Sequence, residues 1–414
     1  MTETLRINGG RLLGRIEELA SVGAIEGGGS CRLALTDEDR EGRDLIVTWM
    51  KDLGLEVSID AIGNVVAVRP GKTDGPPTMT GSHIDTVKTG GRYDGNLGVL
   101  AGLEIIECLS ENGIETQHPV AVAFFTDEEG SRFAPDMLGS LVYVGGMTLE
   151  EALDIEGVDG AKVGDELERI GYRGTSPCPG TSPRAFVELH IEQGPVLEVE
   201  GVTIGAVTGV QGISWTEITI TGESNHAGTT PMSLRHDSGF GATAISAYVR
   251  ELALEMGGSQ VATVGRLELS PNLVNVVAGS ATLTVDLRNT VESDLLAAEN
   301  KLNDFLSELS SKEGLEIEKR ELARFEPVDF SEQVVGTVED IASGLGHSVM
   351  RLPSGAGHDA QMMARVCPTG MVFVPSHKGI SHNPQEHTDP DDLVAGCNVL
   401  FQTILALDKK DLGV

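Results

Sequence analysis

The chain has 414 residues, 40% of them hydrophobic, and carries 63 acidic against 30 basic side chains for a formal charge of −33. That length accommodates two domains, and no apolar run approaches the ~18 residues of a membrane helix. The acids are dispersed and no basic stripe accompanies them, which argues against nucleic acid as a partner, as the short apolar runs argue against a membrane.

Only ten of the thirty basic residues are lysine. Dense acid with scarce lysine is the surface expected where high salt screens self-repulsion, so a halophilic setting is expected. Cys31, Cys108, Cys178, Cys367 and Cys397 are odd in number and lack a CxxC spacing. Together with an N-terminus that has no hydrophobic signal core, they fit reduced thiols in a cytoplasmic protein.

The N-terminal stretch MTETLRINGGRLLGRIEEL reads as an amphipathic helix, and GRDLIVTWMKDLGL as a second helix ending at Gly54. EVSIDAIGNVVAVRP alternates as a strand pair about a Gly-Asn turn. TMTG, the glycine-rich loop GSHIDTVKTGGRYDGNLG and a helix from Gly98 to about Cys108 then form a strand–loop–helix unit. Residues 119–126, PVAVAFFT, are apolar enough for a strand covered on both faces and run into Asp127, Glu128 and Glu129. Residues 146–183 look like an excursion with two short helices, after which AFVELHIEQ resumes as a strand bearing His190 and Glu192 on one side. Alternating strands and helices in this half predict an α/β fold with a mostly parallel mixed sheet.

A boundary is placed near 210. Residues 211–325 read as strand, helix, strand, strand, helix, strand, the split-βαβ or ferredoxin-like order, inserted as a unit. Residues 326–414 return to helix–strand alternation and rejoin 1–210 as one discontinuous domain. Their strand MVFVP is followed by SHKGISHNPQEHT, which holds His377, His382 and His387.

Chemistry collects at strand ends. His83, Asp85 and Asp94 follow one strand, Glu128 and Glu129 another, and the three histidines a third, while His190 lies within its own strand. Ligands of open α/β sheets bind at the carboxyl ends of strands, so these residues point to one crevice. A solvated turn, an acidic loop or a core histidine would explain each alone, but not their convergence. Five donors of types His, Asp, Glu, His and His suit two divalent ions sharing a carboxylate roughly 3.5–4 Å apart. Of the adjacent glutamates only one can easily face the ions, leaving the other to take a proton from the attacking water and deliver it to a leaving nitrogen. No GxSxG or CxxC setting offers a nucleophile, and the glycine-rich segments lack the GKS or GKT of a phosphate loop.

GSHIDTV, GGRYDGNLGVLAGLE, FFTDEEGSRF, ELHIEQGPVLE, NHAGTTPM, SGAGHDA and GISHNPQEHT together resemble the carbamoylase/hydantoinase branch of the dinuclear M20-type amidohydrolases. That branch comprises N-carbamoyl-L-amino acid hydrolases, β-ureidopropionases and allantoate amidohydrolases. The resemblance implies His83, Asp94 and His190 around one ion, Asp94 bridging, Glu129 and His382 completing the second, and Glu128 as general base. Asp85 would orient His83 from behind. His226, Asn275 and Arg288 would grip the substrate carboxylate and polarise its carbonyl, with Gln193 also at the pocket. The inserted unit would be a lid through which a homodimer forms. The implied substrate is a small N-carbamoyl or other ureido acid, and the implied cofactors are two divalent ions per subunit, zinc first, with manganese, cobalt and nickel as alternatives. His190 stands where peptidases and aminoacylases of the superfamily usually place a carboxylate, and His387 where relatives often carry tyrosine.

Overall fold

The computed structural model describes residues 5–413. Its contacts divide the chain into two units, one built from the segments before Val210 and after Val328, the other from Val210–Val328.

The first unit is centred on a nine-stranded mixed sheet. The apolar segments Val120–Phe125, Thr78–His83, Ala185–Ile191 and Thr369–Val374 lie side by side and parallel in that order. Every residue of the four is buried, as expected of strands covered on both faces. The hairpin Glu56–Ile59 and Val65–Arg69 extends one side antiparallel, and Ile204–Val210 extends the other. Helices Asn96–Glu111 and Pro390–Leu407 pack on this sheet with most of their residues buried, which explains why both read as apolar almost all round.

The N-terminal helix begins at Gly9, capped by the Asn8 side chain, rather than at the chain start, and residues 1–4 of the expected helix lie outside the described residues. Its Arg11 meets the fully buried Glu104 at 2.6 Å. The second helix, Asp37–Asp52, starts five residues earlier than its apolar pattern, because Thr36 caps it and Asp37, Glu38 and Asp39 fill its first turn. All five cysteines are free, and no helix among the described residues is long and apolar enough to cross a membrane.

The second unit is a four-stranded antiparallel sheet with two helices. In chain order it runs Gly212–Thr221, helix Ser238–Met256, Val261–Ser270, Ser280–Asn289, helix Glu292–Glu313 and Glu316–Phe325. The last strand lies beside the first, which pairs with the third, which pairs with the second. Alternate residues of Ser280–Asn289 are buried: Ala281, Leu283, Val285 and Leu287 meet Ile245, Val249, Leu295 and Leu302 of the helices. The period of two thus faces one side of the sheet onto the helices.

One buried ion pair ties the second helix to the strand that delivers the acidic loop. Arg43 is fully buried, with Nε at 2.8 Å from Asp39 Oδ2, Nη1 donating to the Gly63 carbonyl at 2.8 Å and Nη2 to Thr126 Oγ1 at 3.3 Å. Removing one partner of such a pair leaves the other charge buried and unmatched, at a cost of roughly 3–5 kcal/mol. Arg43→Met is therefore expected to lower the unfolding free energy, read from chemical denaturation, by an amount of that order. A change below about 1 kcal/mol would show that Asp39 finds compensation elsewhere.

Candidate metal centre

The carboxyl ends of the parallel strands open onto one edge, and the candidate residues gather there. His83 ends its strand, His190 is the penultimate residue of its own, Glu128 and Glu129 follow Phe125 by three and four residues, and His382 lies beyond Val374. Asp94 stands at the start of helix Asn96–Glu111, where the helix dipole favours a negative charge. Between Asp94 and the helix, Gly95 adopts φ 66°, and a Cβ there would lie 2.4 Å from the His83 ring atoms Cε1 and Nε2. Only glycine allows the turn and the ring to share that space.

Asp94 is the common member of two triads whose donor atoms lie within 4.8 Å of one another: His83–Asp94–His190 and Asp94–Glu129–His382. Its two oxygens divide between them. Oδ1 is 3.2 Å from His190 Nε2 and 3.7 Å from His83 Nε2, while Oδ2 is 3.6 Å from His382 Nε2. Glu129 Oε2 approaches His382 Nε2 to 3.2 Å.

Main-chain carbonyls set the ring tautomers. His83 Nδ1 donates to the Asp85 carbonyl at 3.0 Å, and His190 Nδ1 donates to the Ile191 carbonyl at 2.8 Å. Each ring thereby turns its Nε2 toward Asp94, and the His190 Nε2 also accepts the Gly95 N–H at 3.1 Å. His83 Nε2 is buried without a hydrogen-bond partner, the state expected of a nitrogen reserved for a cation. Burial lowers the His83 pKa to about 4, keeping the ring neutral. The donor set of imidazole nitrogens and carboxylate oxygens fits divalent ions such as zinc or manganese.

Asp85 departs from its expected part. Its carboxylate Oδ1 is 3.9 Å from His83 Nδ1, too far to hold the ring, which its carbonyl holds instead. The carboxylate accepts the Glu128 and Glu129 backbone N–H groups at 3.2 and 3.3 Å, so it braces the acidic loop. The Glu128 side chain turns inward, with Oε2 3.3 Å from His83 Nε2. Burial, then the charges of Asp359 and Glu129, raises its pKa well above the usual carboxylate range. The hydrogen bond that His382 Nε2 donates to Glu129 raises the His382 pKa to about 9.

Of the three C-terminal histidines only His382 reaches these groups. His377 pairs with Glu198 at 2.7 Å and His387 with Asp389 at 3.2 Å, both half exposed. Gln193 donates from Nε2 to Asp94 Oδ2 at 2.8 Å, so it touches the shared carboxylate directly. In the second unit His226 and Asn275 come together on exposed strand ends, where the Ala227 N–H donates to the Asn275 carbonyl, and His226 Nδ1 accepts the Gly228 and Thr229 N–H groups. Arg288 lies in that unit too, its Nε and Nη2 on the Asp286 carboxylate at 2.9–3.1 Å and its guanidinium 5.8 Å from the Trp215 ring centroid.

Several buried groups around the triads carry no short-range sequence signal. Glu188 accepts from Ser82 Oγ at 2.5 Å and from the Ala360 N–H at 2.9 Å. The His358 ring stands edge-on to His190 with centroids 4.5 Å apart. Ser381 and Glu386 lie on the far side of Asp94. The motifs SGAGHDA and GISHNPQEHT contain His358, Ser381 and Glu386, but spacing alone does not reveal what they touch.

With this geometry the kinship is clear: the chain belongs to the peptidase family M20/M25/M40, whose model matches residues 79–406. It is 40% identical over 404 residues to an N-carbamoyl-L-amino-acid amidohydrolase of Rhizobium meliloti, with 97% of each chain covered. It is 33% identical over 423 residues to a ureidoglycolate hydrolase of Arabidopsis thaliana, covering 98% of this chain and 88% of that one. Among solved structures it is similar to a hydantoinase/carbamoylase-family amidase from Burkholderia multivorans, with 45% identity, a TM-score of 0.95 and coverage of 98% and 99%.

Two expected outcomes test the geometry. His382→Ala lowers bound metal by about one equivalent, whereas His377→Ala and His387→Ala leave it unchanged, all by elemental analysis. Gly95→Ala pushes the His83 ring aside and lowers metal content in a protein whose far-ultraviolet dichroism is intact.

Proposed function

We propose that the protein is a metal-dependent amidohydrolase that cleaves the linear ureido C–N bond of an N-carbamoyl-L-amino acid or a similar ureido acid, releasing ammonia, carbon dioxide and the free amino acid. One observation carries the reading: a carboxylate shared by two His/carboxylate triads, with the separate buried carboxyl of Glu128 beside it, in a chain alike over 97% of its length to an N-carbamoyl-L-amino-acid amidohydrolase.

In this reading His83, Asp94 and His190 hold one divalent ion, and Asp94, Glu129 and His382 hold the other. Bound there, the ions would polarise the scissile carbonyl and acidify the attacking water. Glu128 accepts the water's proton and returns it to the leaving nitrogen. Asp85 fixes the Glu128 backbone, which keeps the carboxyl beside His83. Gln193 and Ser381 orient the shared carboxylate through its Oδ2.

The Val210–Val328 unit, with its ferredoxin-like strand order, serves as lid and homodimer contact. Its His226, Asn275 and Arg288 bind the substrate's carboxylate and carbonyl. Asp286 already engages Arg288, so a substrate carboxylate would share or displace that partner. Five free cysteines support a reducing, cytoplasmic setting. The −33 charge supports a salt-rich one, with the unfolding temperature rising as KCl goes from about 0.1 to 1 M, over which the screening length falls from about 10 to 3 Å. An unfolding temperature flat in KCl would remove that inference.

Allantoate amidohydrolysis is the second reading, favoured by the likeness to the plant ureidoglycolate hydrolase. An aminoacylase or dipeptidase is third, and His190 counts against it. The deciding measurement follows ammonia release from N-carbamoyl-L-amino acids and from allantoate, on apo-protein reloaded with zinc or manganese. Glu128→Gln is expected to retain both ions and lose about 10²–10⁴-fold in kcat. Turnover of allantoate alone would move the protein to the second reading, and turnover of neither to the third.

A further inference from the structure

The turn that carries Asp94 and the turn that carries His382 are joined by one buried carboxylate with no part in the triads. Glu386 is 5% exposed. Its Oε1 accepts three successive backbone N–H groups, from Arg92 at 3.0 Å, Tyr93 at 2.9 Å and Asp94 at 3.3 Å. A Cβ on Gly91 would lie 2.0 Å from the same oxygen, so that turn is shaped around the carboxylate. On the other side Glu386 Oε2 is 3.3 Å from Ser381 Oγ, and that hydroxyl is 3.0 Å from Asp94 Oδ2. Thr89 Oγ1 adds a bond to the His382 carbonyl at 3.2 Å, and His382 itself holds a left-handed φ of 53°. A carboxylate that accepts several N–H bonds fixes the backbone that donates them, and strain at a left-handed histidine persists only where its surroundings impose it.

We propose that Glu386 is a positioning residue that latches the 91–94 turn to the 381–386 turn, and so sets Asp94 Oδ2 and His382 at the spacing needed to hold the second divalent ion. The proposal rests on the two-ion reading above. The latch acts on one side of Asp94 only. Oδ1 faces His83 and His190, whose Nδ1 atoms are pinned independently by main-chain carbonyls. Oδ2 faces His382 and is held by Ser381 and by Gln193. Losing Glu386 should therefore separate the affinities of the two ions rather than lower both. The charge itself is not what the latch needs. An amide at the same position keeps a carbonyl oxygen for the three N–H groups and presents an N–H₂ to Ser381 Oγ, leaving the hydroxyl proton for Asp94.

The test titrates metal-free full-length protein with Co²⁺ and with Zn²⁺ against a chromophoric chelator, reading two stepwise affinities and, for cobalt, the visible spectrum of each equivalent. Wild type is expected to take two ions. Glu386→Ala should bind the first as wild type does and the second about 10–100-fold more weakly, the range seen when groups behind a metal ligand are removed. Glu386→Gln should restore the second affinity to within a few-fold. Ser381→Ala, which removes only one arm of the latch, should weaken the second ion in the same direction and serves if Glu386→Ala does not fold. Unchanged affinities in both Glu386→Ala and Ser381→Ala, or equal loss of both ions in a folded variant, would overturn the latch while leaving the two-ion reading in place. A wild-type protein that takes fewer than two ions would overturn the reading of the site itself, and the latch with it.

Discussion

Carboxylates removed from water dominate the edge of the central sheet. Asp85, Asp94, Asp127, Glu128, Glu188 and Asp359 are each less than a tenth exposed. Bringing even one ionised carboxylate into a low-dielectric interior costs several kcal/mol after relaxation. Burial raises Asp127 and Asp359 well above their ordinary range, each further raised by a neighbouring acid. The surrounding structure answers this concentration of charge with what it has: backbone N–H groups on Asp85 and Glu188, and histidines on Asp94. Of the carboxylates at this edge, Asp94, Glu129 and Glu128 stand against His83, His190 and His382, the place where the proposed cations belong.

The sheet gives this arrangement its rigidity. The four parallel strands are buried along their whole length, and the residues that matter leave them at or just past their carboxyl ends. His190 is fixed by a carbonyl of its own strand, and His83 by the Asp85 carbonyl two residues past its strand end, so each orientation is set by backbone close to the sheet. The acidic loop is less constrained by its own sequence and depends on Asp85, a residue of a different loop, for its backbone hydrogen bonds. Histidines at strand ends with a braced carboxyl between them are the arrangement that catalysis by positioning would require.

Much of this was legible before any coordinates. The apolar strands, the glycine turn around Asp94, and the gathering of His83, Glu128, Glu129 and the histidines at 377, 382 and 387 past strand ends follow from local pattern together with the rule that strand carboxyl ends form the crevice. The choice of His382 among the three came from the family resemblance. The order of elements in 211–325 was legible as well, from the alternation of strands such as Ser280–Asn289 and the apolar faces of the two helices. Other features depend on distances that no spacing encodes. Asp85 was expected to hold the His83 ring by its carboxylate, but a residue two positions away can offer its carbonyl more closely than its side chain. Glu386 reads in sequence as one more acid in an acidic chain, and its contacts lie almost 300 positions away. The Asp286–Arg288 pair was equally hidden. Residues two apart on a strand share a face, yet alternation alone does not say whether they touch each other or a third group.

The two triads also differ in when a growing chain can complete them. His83, Asp94 and His190 all precede the Val210–Val328 unit, so the groups of the first triad exist before that unit is synthesised. His382 comes after it, and the second triad must wait for nearly the last segment to arrive across a separation of about 290 residues. Closing so long a loop adds little to its entropic cost over a moderate one, but it fixes an order of events. A nascent chain that lacks His382 therefore holds a half-built centre, with Glu128 beside His83 and Glu129 without its histidine. In the two-ion reading, chemistry waits for the segment that carries His382. The discontinuous domain thus makes the centre depend on a segment synthesised after the inserted unit.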